Sequence, residues 1–356
     1  MSAAALPAVG AWAAAPRPMR AIFINPGRSN EDFWLNVSAV MRAAAADLDI
    51  RLEIVYGERS VLYTQQIALE RIRAAAPEDY LLVDNEHHSA GPILEAALAR
   101  GLKCLMVFNG FFGGEVARYG PPRQKFPNFL GEVLSDNVAA GAEIARGLIA
   151  AAKQAGAPLQ MIGINGDPET PAAADRLAGL RQATTGIGDL SLKQVLSTDW
   201  TRAEGLNRAA GLLDRYPETS IVWCANDPLA LGALDAALAR GRRPGRDIFI
   251  GGVNWSKAAL TEISAGRLVL SLGGHLLLGG WALVMLRDYH EGLDFAALPG
   301  GASVSVPFGA LHRGNIGGWL DRYGTSDWTA VRFARFSRFL NGRRDGYDFS
   351  LPAIIS

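Results

Sequence analysis

Along residues 19–109, short apolar runs alternate with stretches whose apolar positions recur every three or four residues. Residues 21–25, 50–56, 80–84 and 103–108 read as strands. Between them Trp34, Val37, Met41, Ala44 and Leu48 mark one face of a helix; residues 64–75 form a second, and a third opens at Pro92 and ends at Arg100-Gly101. A Gly- and Pro-rich stretch, 110–127, reads as a loop. The alternation then restarts, with helices at 136–152, 175–184, 202–215 and 229–240 and strands at 159–164, 192–196, 221–224 and 248–253. Strands separated by helices predict parallel sheets with helices on both faces. The expected class is α/β, with two doubly wound parallel-sheet lobes.

One internal echo supports a repeat. Leu94-Glu95-Ala96-Ala97-Leu98-Ala99-Arg100-Gly101 returns as Leu234-Asp235-Ala236-Ala237-Leu238-Ala239-Arg240-Gly241, each copy flanked by strands that end in Asn: Asn85 and Asn109, then Asn226 and Asn254. In open parallel sheets ligands bind beyond the carboxyl ends of the strands. The polar residues there are Asn25, Asn85, Glu86, Asn109, Asn165, Asp167, Asp199, Asn226, Asp227 and Asn254. Two such rims face to face predict a cleft lined by amides and carboxylates, where a small molecule binds between domains.

The 356 residues suit two domains, and 35 basic against 35 acidic residues give zero formal charge, which argues against a nucleic-acid partner. No apolar run approaches the ~20 residues of a membrane span. Cys104 and Cys224 sit in separate strand-like runs and predict two buried free thiols. No phosphate loop, nucleophile elbow or dinucleotide fingerprint is present, and the expectation is no catalytic residue and no cofactor. Adjacent His87 and His88 lack the spacing of a metal site and predict a solvated turn. Twelve of residues 1–18 are Ala, Pro or Gly; Ala11-Trp12-Ala13-Ala14-Ala15 has the small residues of an export-signal cleavage site, and the alternative is a disordered leader.

Several ordered motifs resemble the type I periplasmic solute-binding proteins. Asn30-Glu31-Asp32-Phe33-Trp34 is similar to that family's Asn-Pro-Phe-Phe segment, and Ser135-Asp136-Asn137 with Gly141 to its Asp-Asn-x-x-Gly. Residues 163–166 with Arg176 and Gly179 resemble its strand, Arg and Gly pattern. Trp200 stands at the family's aromatic strand end. Residues 225–233 resemble Ala-Asn-Asp-x-Met-Ala-x-Gly-Ala, and residues 251–255 stand where the family has Val-Gly-Phe-Asp. The likeness spans residues 20–294 and is to the ribose, galactose and xylose binders; length and C-terminal segment are closer to larger members that receive furanosyl quorum signals.

The resemblance implies two lobes joined by a three-strand hinge that close on a ligand without covalent chemistry. It assigns residues 19–132 with 275–305 to one lobe, 133–274 with 306–318 to the other, and 319–356 to an extension packing on both. Ligand-binding residues expected from rim position and resemblance together are Asn25, Glu31, Phe33, Trp34, Glu86, Asn109, Arg176, Trp200, Asn226, Asn254, Trp255 and His275, with Asp227 left to cap its helix. The implied protein is a periplasmic monomer with no membrane-inserted segment, delivering a small sugar-like ligand to the permease of an ABC transporter, or alternatively presenting its closed form to a sensor kinase. Asn109 and Asn254 replace common Asp residues, and Gly273-Gly274-His275 replaces an expected Gln, so a less polar or carboxylate-bearing ligand is also open. Within 317–356, Phe333, Phe336 and Phe339 alternate with Arg332, Arg335 and Arg338; read as a helix, Phe occupies one face, packed across a lobe or hinge.

Overall fold

The computed structural model describes residues 19–355; the leader 1–18 lies outside the described residues. In chain order the first half gives β1 (Met19–Asn25), α1 (Asp32–Asp47), β2 (Ile50–Tyr56), α2 (Val61–Ala74), β3 (Tyr80–Val83), α3 (Ala90–Ala99), β4 (Lys103–Phe108), α4 (Gly114–Tyr119) and β5 (Phe129–Ser135). The second gives α5 (Asn137–Gln154), β6 (Gln160–Asn165), α6 (Pro171–Thr184), β7 (Ser191–Ser197), α7 (Arg202–Arg215), β8 (Ile221–Cys224), α8 (Asp227–Ala239), β9 (Phe249–Val253), α9 (Lys257–Ser264) and β10 (Leu270–Gly273). The remainder is α10 (Leu278–His290), β11 (Ser303–Val306), β12 (Gly309–His312), α11 (Ile316–Tyr323) and α12 (Leu351–Ile355).

Two six-stranded sheets result, with orders β11-β5-β4-β3-β1-β2 and β12-β10-β9-β8-β6-β7. Among the described strands only β12 runs antiparallel to its neighbour. The chain passes between the sheets three times: from β5 into α5, from β10 through His275 into α10, and from β11 to β12. Two details differ from the sequence reading. The stretch 110–127 contains the short helix α4, and β5 follows it. Val133, Leu134 and Ser135 pair in register with β4 or β11, and Val306 pairs with Ser135, so these residues lie in the first sheet rather than the second lobe.

The internal echo is structural. Helices α3 and α8 follow the equivalent strand of each sheet and stop in the same way. Gly101 and Gly241 both take left-handed φ, 75° and 69°. The amides of Leu102 and Arg242 donate back to Ala97 and Ala237 at 3.0 and 3.1 Å, the bond pattern of a Schellman cap. Cys104 and Cys224 are buried free thiols, one in each sheet.

Helices α5 and α6 approach unusually closely. A Cβ at Gly141 would lie 1.9 Å from the Arg176 carbonyl oxygen, and one at Gly179 would lie 1.9 Å from that of Val138. Gly211, inside α7, faces open space. Gly141→Ala is therefore expected to force the helices apart at about 1–3 kcal/mol, whereas Gly211→Ala stabilises by about 0.4–1 kcal/mol. Urea unfolding midpoints moving in opposite directions check this; a Gly141→Ala midpoint at or above wild type would contradict the close approach.

Candidate functional site

The carboxyl ends of both sheets open onto one cavity of about 960 Å3. Eleven of the twelve residues expected from sequence line it: Glu31, Phe33, Trp34, Glu86, Asn109, Arg176, Trp200, Asn226, Asn254, Trp255 and His275. Asn25 does not. It is fully buried beneath the rim, where its Oδ1 accepts the Gly27 amide and its Nδ2 donates to Ser38, so its amide is spent on shaping the turn after β1.

The first-lobe wall is organised by Arg59, a residue the sequence reading did not single out. It follows β2 with φ 60°, and its guanidinium spans two carboxylates: Nε and Nη2 donate to Glu31, and Nη1 to Glu86. Burial opposes the charge on Arg59, but Glu86, Glu31 and Asp84 more than offset it and raise its pKa. Glu86 is itself pushed up by burial, in spite of Arg59 and His87. Asp84, just behind, is pushed well up by burial and by Glu86; it receives the Asn109 side chain on both oxygens and the backbone amides of Glu86 and Asn109. Asn109 thus spends its amide on a buried carboxylate. Glu31 precedes α1 without a side-chain cap bond, because Arg59 takes its carboxylate.

The second-lobe wall centres on Arg176 in α6. Its Nε donates to Asn137 Oδ1 at 2.9 Å and its Nη1 to the Ala225 carbonyl at 2.7 Å. No group among the described residues accepts from its Nη2. Burial lowers its pKa to about 10, with Asp227 and Asp175 opposing the shift. The sequence reading gave Asn226 to the ligand and Asp227 to the helix cap; the geometry reverses the capping role. Asn226 Oδ1 accepts the Leu229 amide at the start of α8 and its Nδ2 donates to the Trp200 carbonyl. Asp227 is fully buried, accepts from Ser271 Oγ and the Ser256 amide, and is raised by burial to about 6. Asn254, at φ 134°, keeps its side-chain amide free of bonds to the described residues.

Three tryptophans lie across glycines at strand ends. A Cβ at Gly27, Gly166 or Gly273 would fall 1.9, 2.1 or 2.2 Å from the ring of Trp34, Trp200 or Trp255 respectively. Trp34 is buried in the edge-on company of Phe33 and Phe108. Trp200, half-buried with φ 72°, lies near the Arg176 guanidinium. Trp255 is turned inward, its indole N–H on the Ser271 carbonyl and its ring 4.3 Å from Trp319. His275 stacks on Phe33 at 5.0 Å and faces Phe308 at 4.9 Å; its Nδ1 is buried without a hydrogen-bond partner among the described residues. Asn137, Trp319, Tyr323 and Trp328 also reach the site. Asn137 stood in a quoted motif, but nothing local in the sequence placed the other three beside a cleft more than 40 residues upstream.

His87 and His88 diverge, His87 toward Asp167 and Glu169 of the opposite lobe and His88 toward Glu115. Among the described residues no group of three or more His, Cys, Asp or Glu is placed to hold a metal, and no helix is long and apolar enough to cross a membrane.

Comparison with known proteins agrees with this geometry. Residues 21–293 match the family model of the periplasmic binding protein domain. The ribose import binding protein of Escherichia coli (strain K12) is 30% identical over 143 residues, 40% of this chain and 46% of that protein; the match thus spans about half the length of that relative. The D-ribose/D-allose-binding protein of Pseudomonas aeruginosa is 23% identical over 249 residues, 67% of this chain and 72% of that one. The crystal structure of a periplasmic sugar-binding protein from Pseudomonas fluorescens superposes with a TM-score of 0.84 at 35% identity, covering 95% of this chain and all of that one. Each of these relatives is named as a binding protein.

Burial, with the Arg176 charge beside it, holds the His275 pKa well below the usual histidine value. The folded state therefore resists a proton that the unfolded chain takes up near pH ~6.5, so this contribution to stability is complete above that pH and is lost as pH falls. His275→Phe keeps the stacking and removes the titration. Its melting temperature relative to wild type is expected to rise from pH 8 to pH 5; a difference that stays constant with pH would show that His275 is not held neutral.

Proposed function

This chain belongs to the periplasmic binding protein family, and from that premise we propose that it captures a small sugar-like ligand between its lobes in the periplasm and passes it to the permease of an ABC transporter. The observation that carries the reading is Arg176: a buried guanidinium on the cavity wall, fixed by two protein acceptors, with Nη2 left to donate to something else. An exposed arginine would gain little from one hydroxyl. A rigid, desolvated one makes a stronger, charge-assisted bond without losing side-chain freedom on binding.

The two walls divide the work. Arg59 offsets part of the first-lobe carboxylate charge, so Glu31 and Glu86 keep lone pairs for hydroxyls without presenting a bare double negative charge. The second lobe offers Arg176 Nη2 and the Asn254 amide as donors. The half-buried rings of Phe33 and Trp200 give apolar faces for the C–H side of a sugar. A ligand that bridges both walls favours the closed arrangement by its greater affinity for it, and a membrane partner reads that shape. The sugar-binding relatives support the ligand class.

A thermal-shift panel of pentoses, hexoses, furanosides, polyols and small carboxylic acids tests the reading. At a hundredfold excess over Kd a true ligand adds ~2.7 kcal/mol of stability. Arg176→Met is expected to abolish the shift measured against the variant's own unliganded melting temperature, and Asn254→Leu to weaken it. A panel without any shift, or one in which Arg176→Met responds as wild type does, would remove the sugar-binding reading from this cleft.

A further inference from the structure

The loop after β3 and the loop after β6 meet across the cleft. From the first, His87 turns to the second lobe: its Nε2 lies 3.4 Å from an Asp167 carboxylate oxygen, and its Nδ1 lies 3.7 Å from one of Glu169. None of these three residues lines the cavity. The contact therefore joins the lobes without touching a bound molecule.

Both loops are built to hold these groups. His87 and His88 take left-handed backbone, φ 52° and 61°, a conformation that is uncommon and costly for residues other than Gly. The chain on either side is tied down: the Glu86 amide donates to Asp84, the Ser89 amide to the Glu86 carbonyl and the Ala90 amide to Asn85 Oδ1. Two adjacent rings are thereby sent apart. His88 stays within its own lobe, 2.9 Å from Glu115 and stacked on Phe112 at 4.0 Å. On the facing loop, Asp167 Oδ1 accepts the Glu169 amide at 3.0 Å, and the Asp167 carbonyl accepts the Thr170 amide and hydroxyl. That turn aims Asp167 Oδ2 at His87.

Charge makes the contact conditional. The first lobe brings Glu86, with Glu31 behind it, and Arg59 engages both. The second brings Asp167 and Glu169. Closing the lobes sets carboxylates against carboxylates, and His87 stands between them, 3.9 Å from Glu86 on its own side. Glu86 adjoins His87 whatever the lobes do, whereas Asp167 and Glu169 reach it only when the lobes are together. Histidine is the side chain whose charge ordinarily changes between about pH 5 and 8. A proton on His87 places a cation before two carboxylates of the other lobe, so uptake of that proton and closure favour each other.

We propose that His87 is a positioning residue, a proton-dependent latch that draws the lobes together from outside the cavity, so that the closed arrangement gains population as pH falls. The proposal rests on the lobe-closure part of the function proposed above and not on the identity of the ligand.

Pulsed electron double resonance tests it on the full chain, with spin labels at Gln66→Cys on α2 and Gln182→Cys on α6. Both positions are exposed, and the native thiols Cys104 and Cys224 are buried. Spectra of the ligand-free protein are compared at about pH 5.5 and 8, within the histidine range. The ratio of closed to open populations is expected to be about threefold higher at the acid pH, the scale of a part-exposed ion pair. His87→Gln should remove that response, as should Asp167→Asn combined with Glu169→Gln, and His88→Gln should keep it. Asp227 and His275, whose protonation also differs from that of ordinary side chains, are present in every variant, so the comparison isolates His87. Two populations whose ratio ignores pH, or one that responds alike in wild type and His87→Gln, would overturn the latch and leave closure standing. A single distance in every sample, unmoved by pH or by added D-ribose, D-allose or D-galactose, would overturn closure along with it.

Discussion

Burying a guanidinium is costly unless its donors are met, and much of the second lobe is arranged around meeting that requirement for Arg176. Asn137, which accepts from its Nε, is the first residue of α5 after the chain has crossed from the first sheet. Ala225, which accepts from its Nη1, directly follows β8. The reach of Arg176 on α6 to Asn137 on α5 depends on the two helices touching backbone to backbone, which the absence of a side chain at Gly141 and Gly179 permits. His275, at the second crossing, is kept neutral by burial and by the charge of this arginine. One buried cation thus links the interhelical contact, the end of a central strand and two of the three crossings between the lobes.

The two walls solve the problem of buried charge differently. In the first lobe Arg59 is placed among Glu31, Glu86 and Asp84, a cluster of opposite charges whose partners lie on separate turns. In the second, Arg176 is held mainly by neutral acceptors, and Asp227 acts on it from a distance while committing its own oxygens to Ser271 and Ser256. In the first wall every donor nitrogen of the guanidinium is already engaged. The second has a donor to spare, so it is the wall on which an incoming hydroxyl or carboxylate changes the electrostatics most.

Much of this was legible in the sequence because the alternation of apolar runs is strong and strand ends in parallel sheets are where polar residues collect. The strands flanking the echoed helices fell where periodicity placed them. Strand β5 did not: Gly131 and Glu132 interrupt its apolar pattern, and Glu132 is accommodated only through Ser303 on a strand 171 residues later. Arg59 was invisible because its role comes from a left-handed turn and partners 27 and 28 residues away. The Asn226 and Asp227 exchange turned on which of two adjacent side chains faces the α8 amides, a matter of backbone direction that composition does not encode. The three-residue spacing of Phe333, Phe336 and Phe339 suggested one helix; the chain instead makes short 3-10 turns at Trp328–Val331 and Phe333–Phe336, broken by Arg332 at φ 52°, and leaves Phe339 partly exposed.

The place of β11 in the first sheet has a consequence for biosynthesis. Its residues, 303–306, pair with β5, whose last residue precedes them by 168 positions of chain. A ribosome delivers five of the second sheet's six strands before it delivers the strand that completes the first. Until then β5 presents an open hydrogen-bonding edge, the kind of surface on which unfinished chains associate. The first sheet therefore waits for its last strand while most of the second is made, and the nascent protein depends on whatever keeps that edge covered in the interval.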